Sequence, residues 1–461
     1  MTLDEFIREH ENDDTSALLL ARHRFPDIDI DLAVTTIECR RRLRKKVPSW
    51  YAVPSLRFPS RLAAEQCSSE ETALVKARVA HSIASGSSRL QTAFLHSSEC
   101  DGMQNGEPSI KRAVFMDSPS VLGDPSTNKA VFMDRSMKIA DLTGGMGVDS
   151  WAFSRLFGEV LYNEMQPALA EATQENLGKL GVTNVRFSCR QLVPGNLKEI
   201  LGGFRPDLIF LDPARRAEDG RKVFRLADCQ PDVLTLLPEL MDACPDLLLK
   251  LSPMADITQL SRELPGLRAV TVVGAGGECK ELLLHIRRDY NGPYALTVIE
   301  NGATLSFDAD DRGCLGETLA QANRPAATLF REDTSASAAP SQRLLFEPGK
   351  ALAKAGVFRQ LASRFGLAQA DTSTHLYFAE SLPNELLPFG KIFEIEEVLP
   401  LGNETYRSLR KRIPAAEITA RNLPLTSDAL RRKLGIASGG TKHLFGLRTP
   451  SGNLLLVTAP L

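Results

Sequence analysis

A glycine-rich segment contains the first residues that could take part in chemistry. Residues 141–149 are Asp-Leu-Thr-Gly-Gly-Met-Gly-Val-Asp, beginning at the end of the apolar run MKIADL. Glycines allow a tight turn and let backbone N–H groups approach a ligand closely. The spacing is not G-x-G-x-x-G, and no G-K-[ST] follows, so neither a dinucleotide fingerprint nor a phosphate loop is indicated. Asp141 would repel phosphate, which favours a cationic amino-acid ligand such as the methionine end of S-adenosylmethionine (SAM); alternatively, Asp141 only caps the turn.

An acidic residue also ends the next apolar run. Glu164 closes the segment EVLYNE, 23 residues after Asp141. A carboxylate at the end of a second strand is placed to accept hydrogen bonds from both ribose hydroxyls of an adenosyl group. A glutamate after a strand is otherwise usually solvated or a cap. Its spacing after a glycine turn favours adenosyl binding.

A third segment follows the apolar run LIFL. It reads Asp212-Pro213-Ala214-Arg215-Arg216. In a doubly wound sheet, the end of the fourth strand faces the cleft at the topological switch, where a reacting atom would lie. Pro213 favours a sharp turn, and the two arginines could bind phosphate or carboxylate in a bidentate manner. The alternative is a turn whose arginines pair with Glu218 and Asp219.

Charged residues end two further strands. Lys250 follows the run DLLL, and Glu278, Lys280 and Glu281 lie around the turn before the last strand. Charge at the edge of a buried sheet is costly without partners, so these residues are predicted active-site groups. A salt bridge between Lys250 and Glu278 is the simpler alternative. Cys279 is a weaker nucleophile hypothesis, because no base lies clearly beside it.

The elements that must position these residues alternate between strands and helices over residues 136–290. The β-rich runs are MKIADL, EVLYNE, NVRFSC, PDLIFLDP, DLLLKLSP, RAVTVVG and CKELLLHI. Such alternation predicts an α/β fold, a doubly wound Rossmann-like sheet of seven strands with helices on both faces. Only residues 275–278 join the last two runs, too few for a crossover, so the last strand must be antiparallel.

The rest of the chain differs in character. Residues 1–95 show helical periodicity and predict a helical N-terminal domain. Residues 96–135 are rich in Ser, Gly, Asp, Asn and Pro without apolar periodicity, which predicts a flexible insertion. Beyond residue 290 the pattern predicts small α+β units.

Composition excludes several classes of protein. The 461 residues include 55 Lys and Arg against 57 Asp and Glu, a net charge of -2, which argues against a globally basic nucleic-acid coat protein. No apolar run reaches the ~18 residues of a membrane helix. The acidic start differs from a signal or transit peptide, so we expect a cytoplasmic protein without membrane partners. The scattered Cys and His residues predict no metal site.

One region is strongly basic. Between residues 402 and 448, ten basic residues stand against three acidic ones, a local net charge of +7. The basic residues are Arg407, Arg410, Lys411, Arg412, Arg421, Arg431, Arg432, Lys433, Lys442 and Arg448. Such a patch favours binding to a phosphate backbone, although a solvated helix face would have the same composition.

These segments, in this order, resemble the class I SAM-dependent methyltransferases. The closer likeness is to a bacterial group with a helical N-terminal region, a catalytic domain, a ferredoxin-like element and a C-terminal THUMP-like domain. The similar stretches are EQCSSEETALVKA, DLTGGMGVDS, YNEMQPALAEATQENL, LDPARR, KLSPMADI and ECKELLLHI, followed by EPGKALAKAG, STHLYF, FGKIFEI and TARNLPL. The resemblance implies a methyltransferase domain at 136–290, a ferredoxin-like element and linker at 291–345 and a THUMP-like domain at 346–461.

The resemblance, together with the placement of charged residues described above, indicates roles for individual residues. The cofactor SAM would be held by Ser69, Thr72, Asp141, Thr143, Gly144, Gly145, Gly147, Glu164 and Met165. The catalytic group would be Asp212, Pro213, Lys250 and Glu278. The substrate would be bound by Arg215, Arg216, Lys280, Arg410, Lys411, Arg412, Arg431, Arg432 and Lys433. The chain departs from related enzymes at Ala214–Arg216, where an aromatic residue often follows the Asp-Pro pair. It also has Cys189-Arg190-Gln191 where an acidic residue often lies near the adenine.

The leading hypothesis is therefore a SAM-dependent methyltransferase that modifies a nucleotide in structured RNA, either tRNA or rRNA. A second hypothesis keeps the reaction but gives it a protein or small-molecule acceptor. A third is a non-catalytic RNA-binding protein that retains the fold. The intact glycine turn and Glu164 argue against loss of cofactor binding.

Overall fold

The computed structural model describes residues 1–87, 136–215, 226–308, 343–371, 373–449 and 452–461. The predicted insertion at 96–135 lies outside the described residues, and so does Arg216. Within the described ranges, no helix combines the length and the apolar character that a membrane crossing requires.

Residues 1–87 form helices, as their periodicity predicted. These are α1 (Leu3–Glu9), α2 (Thr15–Leu20), α3 (Ile30–Lys46), α4 (Pro48–Tyr51), α5 (Arg61–Gln66) and α6 (Glu70–Ala84). Side-chain oxygens of Asp29, Ser60 and Ser69 accept hydrogen bonds from first-turn N–H groups and so define where α3, α5 and α6 begin. The first three helices share a small core of their own, whereas α6 packs against the sheet that follows.

The central domain alternates strands and helices. Its first part contains β1 (Lys138–Asp141), α7 (Val148–Ser154), β2 (Glu159–Asn163), α8 (Pro167–Lys179), β3 (Val185–Ser188), α9 (Leu197–Leu201) and β4 (Leu208–Leu211). A short hairpin, β5 (Ala214–Arg215) and β6 (Cys229–Gln230), precedes α10 (Val233–Ala243), β7 (Asp246–Leu251), α11 (Ile257–Glu263), β8 (Leu267–Ala275) and β9 (Glu278–Arg287). Every residue of β4 is buried, as expected for a parallel strand covered on both faces.

The order of the strands creates a cleft. In the sheet, β3-β2-β1-β4-β7 are parallel neighbours, and β9 lies antiparallel between β7 and β8. The chain moves outward from β1 to β3 and then returns to the other side of β1, so the strand order reverses between β1 and β4. Their carboxyl ends border the crevice where open α/β sheets bind ligands. The predicted doubly wound sheet with an antiparallel last strand is confirmed.

The sheet extends beyond the seven predicted strands. Residues Ala295–Glu300 (β10) run parallel to β8, and Ala303–Phe307 (β11) return antiparallel to β10. Asn301 and Gly302 make the connecting turn, both with positive φ, which suits a two-residue hairpin. Residues 295–307, which we expected within a separate ferredoxin-like element, therefore belong to the main sheet.

The C-terminal part forms a second sheet. Its elements are β12 (Leu344–Pro348), α12 (Lys350–Ala355), α13 (Phe358–Phe365), β13 (Ala368–Asp371), β14 (Thr374–Ala379), β15 (Gly390–Pro400), α14 (Asn403–Arg412), β16 (Glu417–Arg421), α15 (Ser427–Leu434), β17 (His443–Thr449) and β18 (Gly452–Pro460). The seven strands are ordered β13-β14-β12-β15-β18-β17-β16. The predicted small α+β region after the catalytic sheet is confirmed.

The two sheets share a hydrophobic core. Helix α12 packs against β8, β9 and β10, and Leu352 lies in the same core as Val270 and Val298. At Gly274 of β8, a Cβ atom would lie 2.8 Å from Cβ of Ala351. Only glycine therefore allows this approach of helix to strand.

Trp50 joins the N-terminal helices to the central domain. Its buried ring lies 6.4 Å from the ring of Phe58 and 6.3 Å, edge to face, from that of Trp151 on α7. We expect Trp50→Ala to lower the free energy of unfolding by about 3–5 kcal/mol, because it removes a buried aromatic side chain and leaves a cavity. Guanidinium unfolding measures this loss. Leu20→Ala, at a residue that is 82% exposed, is the control and should leave the midpoint nearly unchanged; equal shifts would contradict the assignment.

Candidate active site

The three glycines of the turn have different surroundings: two are packed closely against neighbouring side chains, and one borders open space. A Cβ atom at Gly144 would lie 2.1 Å from the ring of Tyr162, and one at Gly147 (φ 80°) would lie 2.4 Å from Thr173. Gly145 has φ 54° with open space around it, the nearest atom lying 4.0 Å away. Gly144 and Gly147 therefore hold the turn close to β2 and α8, whereas Gly145 borders the open cavity.

Asp141 lies beneath this turn. One carboxylate oxygen accepts a hydrogen bond from Ser150 Oγ at 2.6 Å, and the other accepts one from the N–H of Thr143 at 3.2 Å. The side chain is 1% exposed and does not line the cavity. Burial raises the pKa of Asp141 to about 8, although both hydrogen bonds oppose the rise. In the structure, Asp141 supports the turn from below.

Glu164 lies at the end of β2 and contacts the same turn. Its Oε2 accepts a hydrogen bond from Gly145 N–H at 2.9 Å, and its Oε1 accepts one from Gln166 N–H at 2.9 Å. The residue is 7% exposed and lines the cavity. Each carboxylate oxygen keeps a further lone pair, so Glu164 can accept hydrogen bonds from a ligand as well.

A cavity of about 260 Å³ opens above the carboxyl ends of β1, β2 and β4. Its lining includes residues 142–149, 163–166 and 190–192, together with Leu169, Asp212, Ala214, Gln230 and Pro231. The helical N-terminal region adds Ser60, Leu62, Ala63, Gln66, Cys67 and Ser68. A volume near the lower end of ordinary ligand sites suits one small molecule. The predicted cofactor residues Thr143, Gly144, Gly145, Gly147, Glu164 and Met165 all line this cavity.

Besides Asp141, two predicted cofactor residues lie outside the cavity lining, Ser69 and Thr72. Ser69 is the N-cap of α6: its Oγ accepts a hydrogen bond from Thr72 N–H at 3.2 Å, and Thr72 is buried. The preceding residue, Ser68, lines the cavity instead. The segment is thus at the site, but the cap turns Ser69 and Thr72 towards the helix.

Asp212 and Lys250 form an ion pair at the cavity. The Lys250 ammonium lies 2.9 and 2.8 Å from the two Asp212 oxygens, and Asp212 N–H donates to Thr143 Oγ1 at 2.6 Å. Burial alone would lower the pKa of Lys250, but the negative charges of Asp212 and Glu281 outweigh it, so the pKa is raised and the ammonium stays charged. Pro213, the residue after Asp212, is buried.

A second buried ammonium lies behind the site. Lys76 of α6 is 0% exposed, and its Nζ lies 2.9 and 3.0 Å from the carboxylate oxygens of Glu281 on β9. The same Nζ donates to Ser68 Oγ at 2.8 Å and lies 3.3 Å from Asp149 Oδ1. Asp149 in turn accepts a hydrogen bond from Ser68 Oγ at 2.9 Å. We name these four residues, Lys76, Ser68, Asp149 and Glu281, the Lys76 cluster.

Lys76 was not identified from the sequence, and Glu281 was noted only as one of the charged residues around the turn before the last strand. The available signal was Lys76 itself, a lysine within the apolar stripe of α6 between Ala73, Val75, Ala77 and Ala80, which are buried or packed on the core. A charge in such a stripe needs a buried partner.

Glu278 and Lys280 lie on the surface. Glu278 is exposed and hydrogen-bonds with Lys350 of α12, which lowers its pKa. Lys250 therefore pairs with Asp212, not with Glu278 as the salt-bridge alternative proposed. Glu281, the residue after Lys280, lies on the inner face of β9 instead and is 4% exposed. Burial raises the pKa of Cys279 to about 11, which disfavours a nucleophilic thiolate.

The predicted substrate-binding cations of the C-terminal region fall into two groups. Arg410 donates to the carbonyls of Leu434 and Lys433, Arg412 pairs with both oxygens of Glu397, and Arg431 donates to the carbonyl of Ala416. These three stabilise the C-terminal fold. Lys411, Arg432 and Lys433 have exposed side chains on α14 and α15. Arg215 belongs to β5, and Arg216 lies outside the described residues.

Comparison with known proteins agrees with this geometry. A ferredoxin-like domain matches residues 344–386, and a THUMP domain-like family matches residues 390–460. Two proteins of Mycobacterium tuberculosis, strains CDC 1551 and H37Rv, are described as uncharacterized S-adenosylmethionine-dependent methyltransferases. Each is 25% identical over 323 residues, which cover 70% of this chain and 80% of the relative. A crystal structure from Porphyromonas gingivalis W83, described provisionally as a methyltransferase, is 27% identical, covers 99% of this chain and 97% of the other and has a TM-score of 0.71.

The chain is similar to SAM-dependent methyltransferases in sequence and in fold. Its C-terminal region is THUMP-like, as the resemblance implied. The matched ranges place the ferredoxin-like unit of this methyltransferase on β12–β14 and the THUMP-like unit on β15–β18.

The residues of the methyltransferase cavity fit SAM chemically. SAM carries a sulfonium and an ammonium, and the lining contains three carboxylates, Asp149, Glu164 and Asp212, against one guanidinium, Arg190. Asp149 Oδ1 is buried and faces the Lys76 ammonium at 3.3 Å. An acidic lining favours a cationic ligand. Among the residues that the structure describes, no group of three or more His, Cys, Asp or Glu side chains is placed to hold a metal.

The raised pKa of Asp141 predicts a pH dependence of stability. Between about pH 4 and pH 8, Asp141 keeps a proton in the folded protein that it has lost in the unfolded chain. The free energy of unfolding therefore falls by about 1.4 kcal/mol for each pH unit through this window and is constant above it. Asp141→Asn cannot titrate. We therefore expect the free energy of unfolding of this variant, minus that of wild type, to be larger at pH 8 than at pH 5. Denaturant titrations without ligand at the two pH values measure this difference.

Glu171→Gln, which changes an exposed carboxylate on α8, is the control for this comparison. Its difference from wild type should stay nearly constant over the same range. A constant difference for Asp141→Asn would contradict the burial argument.

Proposed function

We propose that this methyltransferase transfers a methyl group from SAM to a nucleotide in structured RNA, tRNA or rRNA, in the cytoplasm. The observation that carries the reaction is the shared cavity: Gly145 and Glu164 lie on one side of it, and the Asp212–Lys250 pair lies on the other. A cofactor seated over the turn is then within reach of an acceptor held at the end of β4.

Glu164 and the glycine turn hold the cofactor in this proposal. Glu164 is anchored by the N–H groups of Gly145 and Gln166, which fixes its carboxylate before any ligand binds. Such preorganisation favours hydrogen bonding to the two ribose hydroxyls. Residues 190–192 line the cavity next to β2, where they can contact the adenine.

Asp212 orients the acceptor. When bound, SAM supplies a methyl group on a positively charged sulfur, and transfer breaks the carbon–sulfur bond as the acceptor atom bonds to carbon. Asp212 is fixed by Lys250 and by Thr143 and can accept a hydrogen bond from the N–H or O–H group that is methylated. Alignment of this kind supplies much of the rate enhancement of a two-reactant displacement.

The C-terminal region supports RNA as the acceptor. It has a THUMP-like family match and exposes Lys411, Arg432 and Lys433. Exposed cations bind the phosphate backbone without sequence preference. A base in a helix would have to be flipped out, or presented in a loop, to reach the cavity.

The role of Asp212 can be tested against a surface carboxylate. We expect Asp212→Ala to reduce methyl transfer at least 100-fold while SAM affinity stays within about threefold, since Asp212 orients the acceptor. Glu278→Gln is the matched control, because Glu278 is exposed and paired with Lys350, and should leave transfer unchanged. Tritium transfer from labelled SAM and isothermal titration give the two readouts. Full activity of Asp212→Ala would refute the role.

The acceptor class can be identified with the same labelled cofactor. Incubation with total RNA, protein and small-molecule fractions from cells lacking this protein should label RNA. A nucleoside mass profile of the two cell lines then identifies the modified base. If the label appears in protein or in small molecules, that class is the acceptor and RNA is not. A failure to bind SAM would favour a non-catalytic RNA-binding protein.

The basic residues give a separate prediction. The triple variant Lys411→Glu, Arg432→Glu and Lys433→Glu should bind RNA at least about tenfold more weakly and should lower the slope of log affinity against log salt by about 2–3. Filter binding at several salt concentrations measures both. The control changes three other exposed cations, Arg8, Lys198 and Arg262, to glutamate, with the same change of net charge. Equal losses in the two variants would show that only net charge matters.

A further inference from the structure

The Asp212–Lys250 pair offers an acceptor both a carboxylate and an ammonium. Asp212 lines the cavity, and both side chains keep some exposed surface, 25% for Asp212 and 21% for Lys250. An ammonium has three N–H groups, and the contacts with the two Asp212 oxygens leave one of them for a ligand. An acceptor group at this pair can therefore donate a hydrogen bond to Asp212 and accept one from Lys250.

The Lys76 cluster helps Lys250 to keep its positive charge. Burial opposes the charged form of Lys250, but the negative charges of Asp212 and Glu281 raise its pKa. The positive charge of Lys76 also acts against Lys250, and Glu281 offsets it by bonding to Lys76 at 2.9 Å. The acceptor side of the cavity therefore holds a fixed ammonium and a fixed carboxylate next to each other.

A fixed ammonium beside the acceptor favours an oxygen atom over an amine nitrogen. An amine attacks with its lone pair and becomes positively charged, which a neighbouring ammonium opposes. A hydroxyl oxygen becomes negatively charged as its proton leaves, and an ammonium stabilises that charge. A carboxylate alone would suit an amine, whereas the Asp212–Lys250 pair supplies a proton acceptor and a positive charge together.

The cavity lining favours a ribose over a flipped base. Among the described residues that line the cavity, none is Phe, Tyr, Trp or His. Proteins that hold an unstacked base commonly place it against an aromatic ring. The ribose 2′-hydroxyl instead lies in the wide, shallow minor groove of an RNA helix, where a protein can contact it without unstacking the base.

We propose that the methyl group is transferred to a ribose 2′-hydroxyl of the RNA, with Asp212 accepting the hydroxyl proton and Lys250 stabilising the oxygen as it becomes negative. The 2′ oxygen bonds to the methyl carbon as the carbon–sulfur bond of SAM breaks, and the electron pair of that bond remains on sulfur. The products are a 2′-O-methyl ribose, S-adenosylhomocysteine and a proton, which passes from Asp212 to water. This inference rests on the proposed function and names the acceptor atom.

Alkaline hydrolysis distinguishes this acceptor from every position on a base. Alkali cleaves RNA through the free 2′-hydroxyl, so a nucleotide with a methylated ribose stays joined to the next one and is released as a dinucleotide. We expect tritium transferred from labelled SAM to total RNA, prepared from cells lacking this protein, to appear in alkali-resistant dinucleotides. Label in mononucleotides would place the methyl group on a base and overturn the inference, while the proposed function would stand. RNA that gains no label would refute the proposed function, and this inference with it.

The role of Lys250 has a separate test. Because its ammonium acts on charge that develops only during transfer, Lys250→Met should lower kcat at least about 100-fold and change KM for RNA less than about threefold. Lys198→Met, at an exposed lysine of α9, is the matched control and should change neither. SAM affinity within about threefold of wild type, measured by isothermal titration, shows that Lys250→Met has folded correctly. An unchanged kcat, with or without a raised KM, would overturn the role of Lys250.

Discussion

The ion pairs of Lys76 connect parts of the chain that lie far apart in sequence. Its ammonium, completely buried, bonds to Glu281, 205 residues further on, and reaches Asp149 and Ser68 beside the cavity. A buried ammonium without these partners would be strongly destabilising, so α6, α7 and β9 are stable in this arrangement only together. The walls of the cavity therefore depend on the packing of the N-terminal helices as much as on the sheet.

The sheet places the remaining groups. Parallel strands β1, β2 and β4 end at one edge, and each contributes a residue there: the turn after Asp141, Glu164 and Asp212. Because the strand order reverses between β1 and β4, these ends surround a crevice rather than a flat edge. The position of the cavity thus follows from topology, and its acidic character follows from the side chains that end the strands.

Sequence patterns predicted the elements well, because buried parallel strands and amphipathic helices have distinct periodicities. The strands ending at Asp141, Glu164 and Asp212 were found in this way, together with the antiparallel closing hairpin. The hairpin Ala295–Phe307 was assigned to another unit, since its membership of the main sheet depends on pairing with β8, which leaves no local signal. A THUMP-like C-terminal unit was implied by resemblance, and the family match confirms it.

The site was only partly predictable from the sequence, because the direction in which each side chain points depends on tertiary packing. Lys250 and Asp212 were both identified, but their pairing was not. Glu278 was included in the predicted catalytic group and Glu281 was not, because the face of β9 that packs inward depends on its neighbours in the sheet. Lys76 was missed because its partners come from distant elements, and Ser69 was expected at the cofactor although its side chain caps α6.

The ferredoxin-like and THUMP-like units are joined edge to edge. Strand β12 of the first pairs directly with β15 of the second, from Leu344 opposite Glu394 to Pro348 opposite Gly390, so a single sheet runs through both. Each unit thereby hides an edge that would otherwise be open to intermolecular association. The border between the two family matches therefore lies inside one continuous sheet, and α12 packs this part of the chain against β8, β9 and β10 of the catalytic sheet.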